Sequence, residues 1–326
     1  MLQMISGYWV TQVLRAAADL SVMDHVADGA VTAGEVAARE SSNPRTTYRL
    51  MRACASLGLL SHEGDHRFAV TPLGTLLRAG VPGSMRDLAL VLGARGHWQS
   101  WALLPEAVRK GATQSETALG MTAWDYFEKH PVEGALFASA MSELTQLLVA
   151  DVLAAVDVTG VSVAVDVGGA NGALVHAFMQ ANPALRGIVL DRPNVVPGAV
   201  LAAEKAGLAD RFTGQAGDFF REVPAADLYL LKMILHDWDD ESCRTLLRNC
   251  RAAARPGARM LVVETVVGEL GTPGPGPLND MNMLAGPGGE ERDLAEYDML
   301  FAASGWRRAA VHATRSPQAV IELETA

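Results

Sequence analysis

Residues 163–172 read Val-Ala-Val-Asp-Val-Gly-Gly-Ala-Asn-Gly. Valines at 161, 163, 165 and 167 make an apolar run suited to a buried strand. The run breaks at once into a glycine-rich turn, and Ala173-Leu174-Val175-His176-Ala177-Phe178-Met179 then reads as a helix. Strand, glycine turn, helix is how an open α/β sheet brings backbone N–H groups up to a ligand. The glycines stand at 168, 169 and 172, a G-G-x-x-G spacing that differs from the dinucleotide G-x-G-x-x-G. Asp166 lies inside the strand, just ahead of Gly168. A lone glycine turn is weak evidence, and its surroundings decide its meaning.

Downstream, the chain alternates strand and helix. Gly187-Ile188-Val189-Leu190-Asp191, Asp227-Leu228-Tyr229-Leu230-Leu231-Lys232 and Met260-Leu261-Val262-Val263-Glu264 read as strands, with helical stretches around 197–206 and 241–254. This βαβα order predicts an α/β fold with a parallel, doubly wound sheet. Gly271 to Pro277, dense in glycine and proline, reads as a loop.

Residues 1 to about 95 read as mostly helical. Tyr8, Trp9, Val13, Leu14 and Ala17 lay an apolar stripe on the first helix that is too wide for a lone surface helix. Thr32-Ala33-Gly34-Glu35 has the spacing of a capping box, and Asn43-Pro44 opens another helix that Gly58 can end. Leu59-Leu60 and Arg67-Phe68-Ala69-Val70 suggest a small hairpin. Helix, helix, two-stranded wing is the winged-helix order. Arg45, Arg49 and Arg52 on its second helix admit a DNA-binding reading, but a solvated face on a dimerisation module suits an acidic chain better. Residues 96–155 follow as a helical connection rich in Trp98, Trp101, Trp124, Tyr126, Phe127, Phe137 and Met141.

With 326 residues, the chain is more comfortable as two domains than one. Hydrophobic residues at 49% and charged residues at 20% describe a soluble globular protein. No apolar run approaching the ~18 residues of a membrane helix is expected, nor an N-terminal signal segment. Cys54, Cys243 and Cys250 lack a metal spacing and fit reduced thiols in a cytoplasm. The net charge of -10 opposes non-specific binding to nucleic acid and to anionic membrane. The expected ligand is a small molecule.

In such a sheet, ligands sit at the C-terminal ends of strands. Asp191 closes the second strand, where a carboxylate can accept both hydroxyls of a ribose. Asp218, in Gly217-Asp218-Phe219-Phe220, follows a short third strand and could take the exocyclic amine of an adenine, with Phe219 against the ring. Lys232 ends the fourth strand and needs a partner, because an unpaired buried ammonium is costly. His236-Asp237-Trp238 comes next. A lone histidine is usually structural, but this one leaves a strand end beside the expected cofactor. Glu264, closing the fifth strand, and Glu290 or Glu291 before Arg292 could reach it. A carboxylate accepting from one imidazole nitrogen fixes the tautomer and leaves the other nitrogen free as a base. Asp239-Asp240-Glu241 suits the N-terminus of the next helix.

At these residues the chain resembles the S-adenosylmethionine (SAM)-dependent small-molecule O-methyltransferases, which methylate caffeate and flavonoids in plants and polyketides in actinomycetes. The resemblance covers nearly the whole chain. It rests on Asp166–Gly172, Gly217-Asp218-Phe219, Lys232 through His236-Asp237-Trp238, Glu264, and Gly288-Gly289-Glu290-Glu291-Arg292. It implies a winged-helix-like dimerisation domain at 1–95, a connection at 96–155 contributing to an acceptor pocket, and a Rossmann-like SAM domain at 156–326. It also implies a homodimer, and the early arginines lose their DNA reading.

Position by position, the resemblance puts the SAM amino-acid part and ribose on Asp166, Gly168, Gly169 and Asp191. Asp218 and Phe219 would meet the adenine, and Lys232 would face the cofactor. His236 resembles the general base, with Glu264 and Glu291 flanking it and Asp237 in the same catalytic set. Trp98, Phe127, Phe137, Met141 and Met283 match acceptor-pocket positions. The implied reaction methylates an aromatic hydroxyl and leaves S-adenosylhomocysteine (SAH), with no metal and no ligand cluster to hold one. Ala170 stands where the family often has a third glycine, and the loop after Met283 is one residue shorter than in the plant enzymes, which alters the pocket rim. Two other readings stay open: a SAM-using tailoring enzyme that does not methylate, and a winged-helix regulator that senses a metabolite.

Overall fold

The apolar run at 163–167 is a central strand of a seven-stranded sheet in the computed structural model, which describes residues 1–326. In chain order the strands are β1 Leu60–His62, β2 Phe68–Val70, β3 Val163–Val167, β4 Arg186–Asp191, β5 Phe212–Ala216, β6 Ala226–Lys232, β7 Ala254–Thr265, β8 Trp306–Ala313 and β9 Gln318–Thr325. The large sheet runs β5-β4-β3-β6-β7-β9-β8, and its strand order reverses beside β3. Ligands of open α/β sheets bind at such a switch point.

The sheet is mixed, which corrects the all-parallel expectation. β3 through β7 pair in parallel, whereas β9 lies antiparallel to both β7 and β8. No helix crosses over after β8, so the chain returns by a short turn, which forces an antiparallel pair. β8 shows the alternating burial of a strand covered on one face, from buried Trp306 to exposed Arg307 onward.

Neighbouring residues of the central strands enter opposite cores. Val165, Tyr229, Leu231, Met260 and Val262 pack with Cys243, Leu246 and Leu247 of the helix Asp240–Ala253 and with Tyr297, Leu300 and Phe301 of the helix Leu294–Ala302. Ala164, Leu228, Leu230, Leu261 and Val263 pack instead with Leu174, Val175 and Phe178 of the helix Ala173–Ala181 and Ala199 and Ala203 of the helix Val196–Lys205. Burial on both faces explains why these strands read as unbroken apolar runs. Each fully buried aliphatic side chain contributes about 1.5–3 kcal/mol, so this double core fixes the strand ends that carry the polar residues.

The chain divides into two compact units, Met1–Trp98 with Ser139–Leu144, and Gln99–Ala138 with Thr145–Ala326. Residues 96–155, read as a connection, are thus shared between them. In the first unit, Thr32 and Glu35 form the capping box and Asn43 caps the helix Pro44–Ser56 through the N–H groups of Arg45 and Thr46. β1 and β2 then pair antiparallel, giving the helix, helix, hairpin order. Met23, Val36, Met51, Cys54 and Phe68 form its core. Arg45, Arg49 and Arg52 are exposed, and the Arg52 guanidinium lies over the Tyr48 ring.

The helix Pro131–Ala155 has 25 residues and is long and apolar enough to cross a membrane by length and composition, contrary to the expectation that no such stretch exists. Its Leu148 and Val152 are buried in the core beside β3.

Candidate active site

The glycine turn follows β3 with positive φ at Gly168 (68°) and Ala170 (49°). A Cβ on Gly168 would lie 2.5 Å from Ile234 Cδ1, and one on Gly169 would lie 2.6 Å from Asp166 Cγ. The turn is therefore held against the segment that leads to His236, and a side chain at Gly168 or Gly169 would force a neighbour to shift. Ala170 is small enough to occupy the left-handed position that a third glycine would otherwise take, at a modest strain.

Asp191, at the end of β4, accepts from Ala170 N–H at 2.9 Å and from Arg192 N–H at 2.7 Å. Burial pushes its carboxyl up, against those two hydrogen bonds. Asp166 is buried and accepts from Val175 N–H at 3.3 Å; burial pushes it up to about 7. Asp218 is exposed after β5 and accepts from Phe220 N–H, with Phe219 half-buried beside it. The partner expected for Lys232 is a thioether: its ammonium donates to Met233 Sδ at 3.6 Å. Burial draws Lys232 down, while the charges of Asp166, Glu264 and Asp237 oppose that shift.

Past β6, Leu235–Asp237 forms one short helical turn. Glu264, at the end of β7, accepts from the N–H groups of Ile234 and Leu235 with one oxygen, Oε1, at 2.9 Å each. That fixes the backbone immediately before His236. The buried imidazole places Nδ1 2.7 Å from Glu291 Oε1 and 3.5 Å from Glu264 Oε2, and Nε2 3.6 Å from Asp237 Oδ1. Asn279 also donates to Glu291 Oε1, and Asp280 Oδ1 accepts from the Glu291 N–H at 3.0 Å. With Nδ1–H donating to Glu291, the neutral ring carries its lone pair on Nε2.

Burial alone would draw His236 down, but Glu264, Asp237 and Glu291 together push it up to about 10. Burial pushes Asp237 up to about 7 and raises Glu264 as well, with the charge of His236 opposing both. Glu264 Oε2 and Glu291 Oε2 have no hydrogen-bond partner although both are buried. The ligating atoms of His236, Glu264 and Glu291 lie within 4.8 Å of one another. A cluster of the type that can hold a cation therefore exists, contrary to the expectation that none would. The choice left open between Glu290 and Glu291 resolves to Glu291, since Glu290 Oε1 accepts from Arg292 instead.

Among the acceptor-pocket residues, Phe127 and Phe137 stack with ring centroids 4.7 Å apart, and Met283 is buried in the helix Gly276–Ala285. Trp98 and Met141 belong to the first unit, where Trp98 meets the edge of Tyr8. Sequence reasoning assigned no role to Trp124. It stacks on Trp238 and meets both Phe127 and Phe137, while Trp238 meets Phe219 and Phe220. An unbroken aromatic path thus runs from Phe219 to Phe137. The spacing of Trp124 and Phe127 on one helix face was a readable signal; Asn279 and Asp280 had none.

Comparison with known proteins gives concordant matches. An O-methyltransferase domain family matches residues 101–307, and an O-methyltransferase dimerisation domain family matches residues 2–80. The phenazine O-methyltransferase PhzM of Lysobacter antibioticus is 38% identical over 323 residues, covering 99% of this chain and 94% of that protein. The crystal structure of LaPhzM superposes with a TM-score of 0.95 at 37% identity, covering 100% of this chain and 98% of the other. Human N-acetylserotonin methyltransferase in complex with SAM superposes with a TM-score of 0.91 at 30% identity, covering 99% and 96%.

Proposed function

The chain belongs to the SAM-dependent O-methyltransferase family, and from that premise we propose that it methylates a phenolic hydroxyl of an aromatic secondary metabolite with His236 as general base. The observation that carries the base assignment is the 2.7 Å contact between His236 Nδ1 and Glu291. It commits one ring nitrogen and leaves Nε2 to take a proton.

The residues fit SAM. A Cβ at Gly168 or Gly169 would crowd a neighbour, and with none there backbone is what meets a ligand. Asp191 holds that turn through Ala170 N–H and ends the strand next to the switch point. A buried cluster with two unpartnered carboxylate oxygens suits a ligand that carries positive charge. When bound, SAM supplies an electrophilic methyl group on a positively charged sulfur. Asp166, Gly168, Gly169, Asp191, Asp218, Phe219 and Lys232 would hold it.

A phenol titrates near pKa ~10 and is mostly protonated at neutral pH. Its carboxylates hold His236 up at about 10 in the free protein, where the ring is protonated at neutral pH; the positive charge of bound SAM would draw it down and free Nε2 to act as the base. Proton removal at Nε2 then converts the hydroxyl into the better nucleophile, worth roughly 10²–10⁴-fold. Glu291 orients the ring, Glu264 fixes the backbone before it, and Asp237 faces Nε2. Phe127, Phe137 and Met283 would line a largely apolar site for a flat acceptor and exclude water from it. A homodimer through the first unit and a cytoplasmic location complete the reading; buried, unpaired Cys54, Cys243 and Cys250 support a reducing compartment.

The test incubates the protein with SAM and a hydroxyphenazine or hydroxynaphthoic acid and follows the products by mass spectrometry. The expected product gains one methyl group, and SAH accumulates. In His236→Ala, kcat should fall roughly 10²–10⁴-fold while SAM affinity holds. Wild-type turnover in that variant overturns the base assignment. An acceptor that gains oxygen instead of a methyl group overturns methyl transfer.

A further inference from the structure

We propose that Arg292 is the positioning residue of the catalytic centre, a guanidinium clamp that fixes the turn carrying His236; this rests on the reading of His236 as the base. Arg292 is almost wholly buried, and all three of its nitrogens are engaged. Nη1 donates to Leu235 O at 3.1 Å and Nη2 to Trp238 O at 3.0 Å. These two carbonyls bracket His236 and Asp237. Nε and Nη2 both donate to Asp240 Oδ1, and Nη1 and Nη2 also reach the carbonyl and carboxylate of Glu290. No donor is left over for a ligand, so Arg292 acts through the turn and not on the reacting atoms.

Its backbone is fixed as firmly. Arg292 forms a parallel bridge to Val266 and its carbonyl accepts from Val267 N–H at 3.0 Å, just beyond Glu264 at the end of β7. One residue therefore joins β7, which supplies Glu264, to the turn that supplies His236, and it directly follows Glu291. Gly289 completes the clamp, because a Cβ there would sit on His236 O and the backbone of Asp237 and Trp238. A planar fork can span two carbonyls and a carboxylate together, which a lysine ammonium cannot. Without it, the Leu235 and Trp238 carbonyls keep only the weak Cys243 thiol as a side-chain donor, and the ring is free to drift from Glu291. Misplacement by about 1 Å can cost roughly 10²-fold in rate.

The experiment compares Arg292→Ala, Arg292→Lys, His236→Ala and the double variant Arg292→Ala/His236→Ala, using SAM and a hydroxyphenazine acceptor. Both Arg292 variants should lose about 10²-fold in kcat while SAH affinity by calorimetry stays unchanged. Added guanidinium should partly restore Arg292→Ala, and the NMR titration of the His236 ring should shift. The double variant should be no slower than His236→Ala alone, because the clamp acts only through that ring. Should Arg292→Ala fail to fold, Asp240→Ala loosens the same clamp from its half-exposed end, and should slow the enzyme only when His236 is present. Additive losses in the double variant, or SAH affinity falling in step with kcat, overturn the clamp. Wild-type turnover in His236→Ala overturns the base reading, whatever Arg292 does.

Discussion

Nδ1 of His236 lies 2.7 Å from Oε1 of Glu291, a residue 55 positions later in the chain. The contact decides which imidazole nitrogen can act, and it exists because β7 and the segment after it bring Glu291 back to the end of β6. Glu291→Gln keeps an oxygen that can accept from Nδ1–H but removes the negative charge. The expected result is a smaller kcat loss than in His236→Ala, with the acidic limb of the pH–rate profile moved to lower pH. Glu291→Ala should lose more, since nothing then orients the ring. An unchanged profile in Glu291→Gln would show that the carboxylate does not support the imidazolium.

The same charges give the protein a pH-dependent stability whose sign can be worked out. His236 stands at about 10 in the folded state against 6.5 in the unfolded chain. Its folded-state pKa is raised, so its contribution is full below 6.5 and is lost as pH rises through about 10. Asp166 and Asp237, raised from 3.8 to about 7, act in the same direction at lower pH. Across the alkaline range the melting temperature of the free protein should therefore fall as pH rises, and His236→Asn should flatten that fall. A melting temperature that climbs across that alkaline range refutes the account.

A positively charged ligand brought to this cluster lowers the proton affinity of every group in it, and a neutral ligand of the same shape does not. SAM binding should therefore release protons at about pH 8 and SAH binding should release fewer. Calorimetry in buffers of different ionisation enthalpy measures the difference directly. The release should shrink in His236→Asn. Equal proton uptake or release for SAM and SAH would place the charge elsewhere.

Much of this centre was legible in the chain because it sits where regular elements end. Asp191, Lys232 and Glu264 each close an apolar run, and the glycine turn breaks another, so their positions at strand ends followed from the pattern alone. The pairing of His236 with Glu291 over Glu290 was not legible, since adjacent carboxylates differ only in which way the backbone turns them. The C-terminal hairpin was overlooked because β8 is polar on alternate residues and carries none of the unbroken apolar signal of the buried strands. The clamp by Arg292 was hidden for a related reason. Three of its partners are backbone carbonyls, which no side-chain sequence encodes.

The exposed apolar residues of the first unit set up the last prediction. Leu2, Met4 and Ile5 are 77%, 80% and 66% exposed, and Tyr8 and Trp9 on the following helix are 53% and 60% exposed. An exposed apolar cluster of this kind marks an interaction surface, and it falls within the residues that match an O-methyltransferase dimerisation domain. Burying it returns about 25 cal/mol for each Å² of apolar area, so one charge in its midst should weigh heavily. Light scattering at micromolar concentration should give twice the 34.6 kDa chain mass for the wild type. Trp9→Asp should shift that mass toward the monomer while the far-UV spectrum is preserved, because Trp9 contributes little to the core of its own chain. A wild-type mass of one chain under those conditions would remove the dimer from the reading.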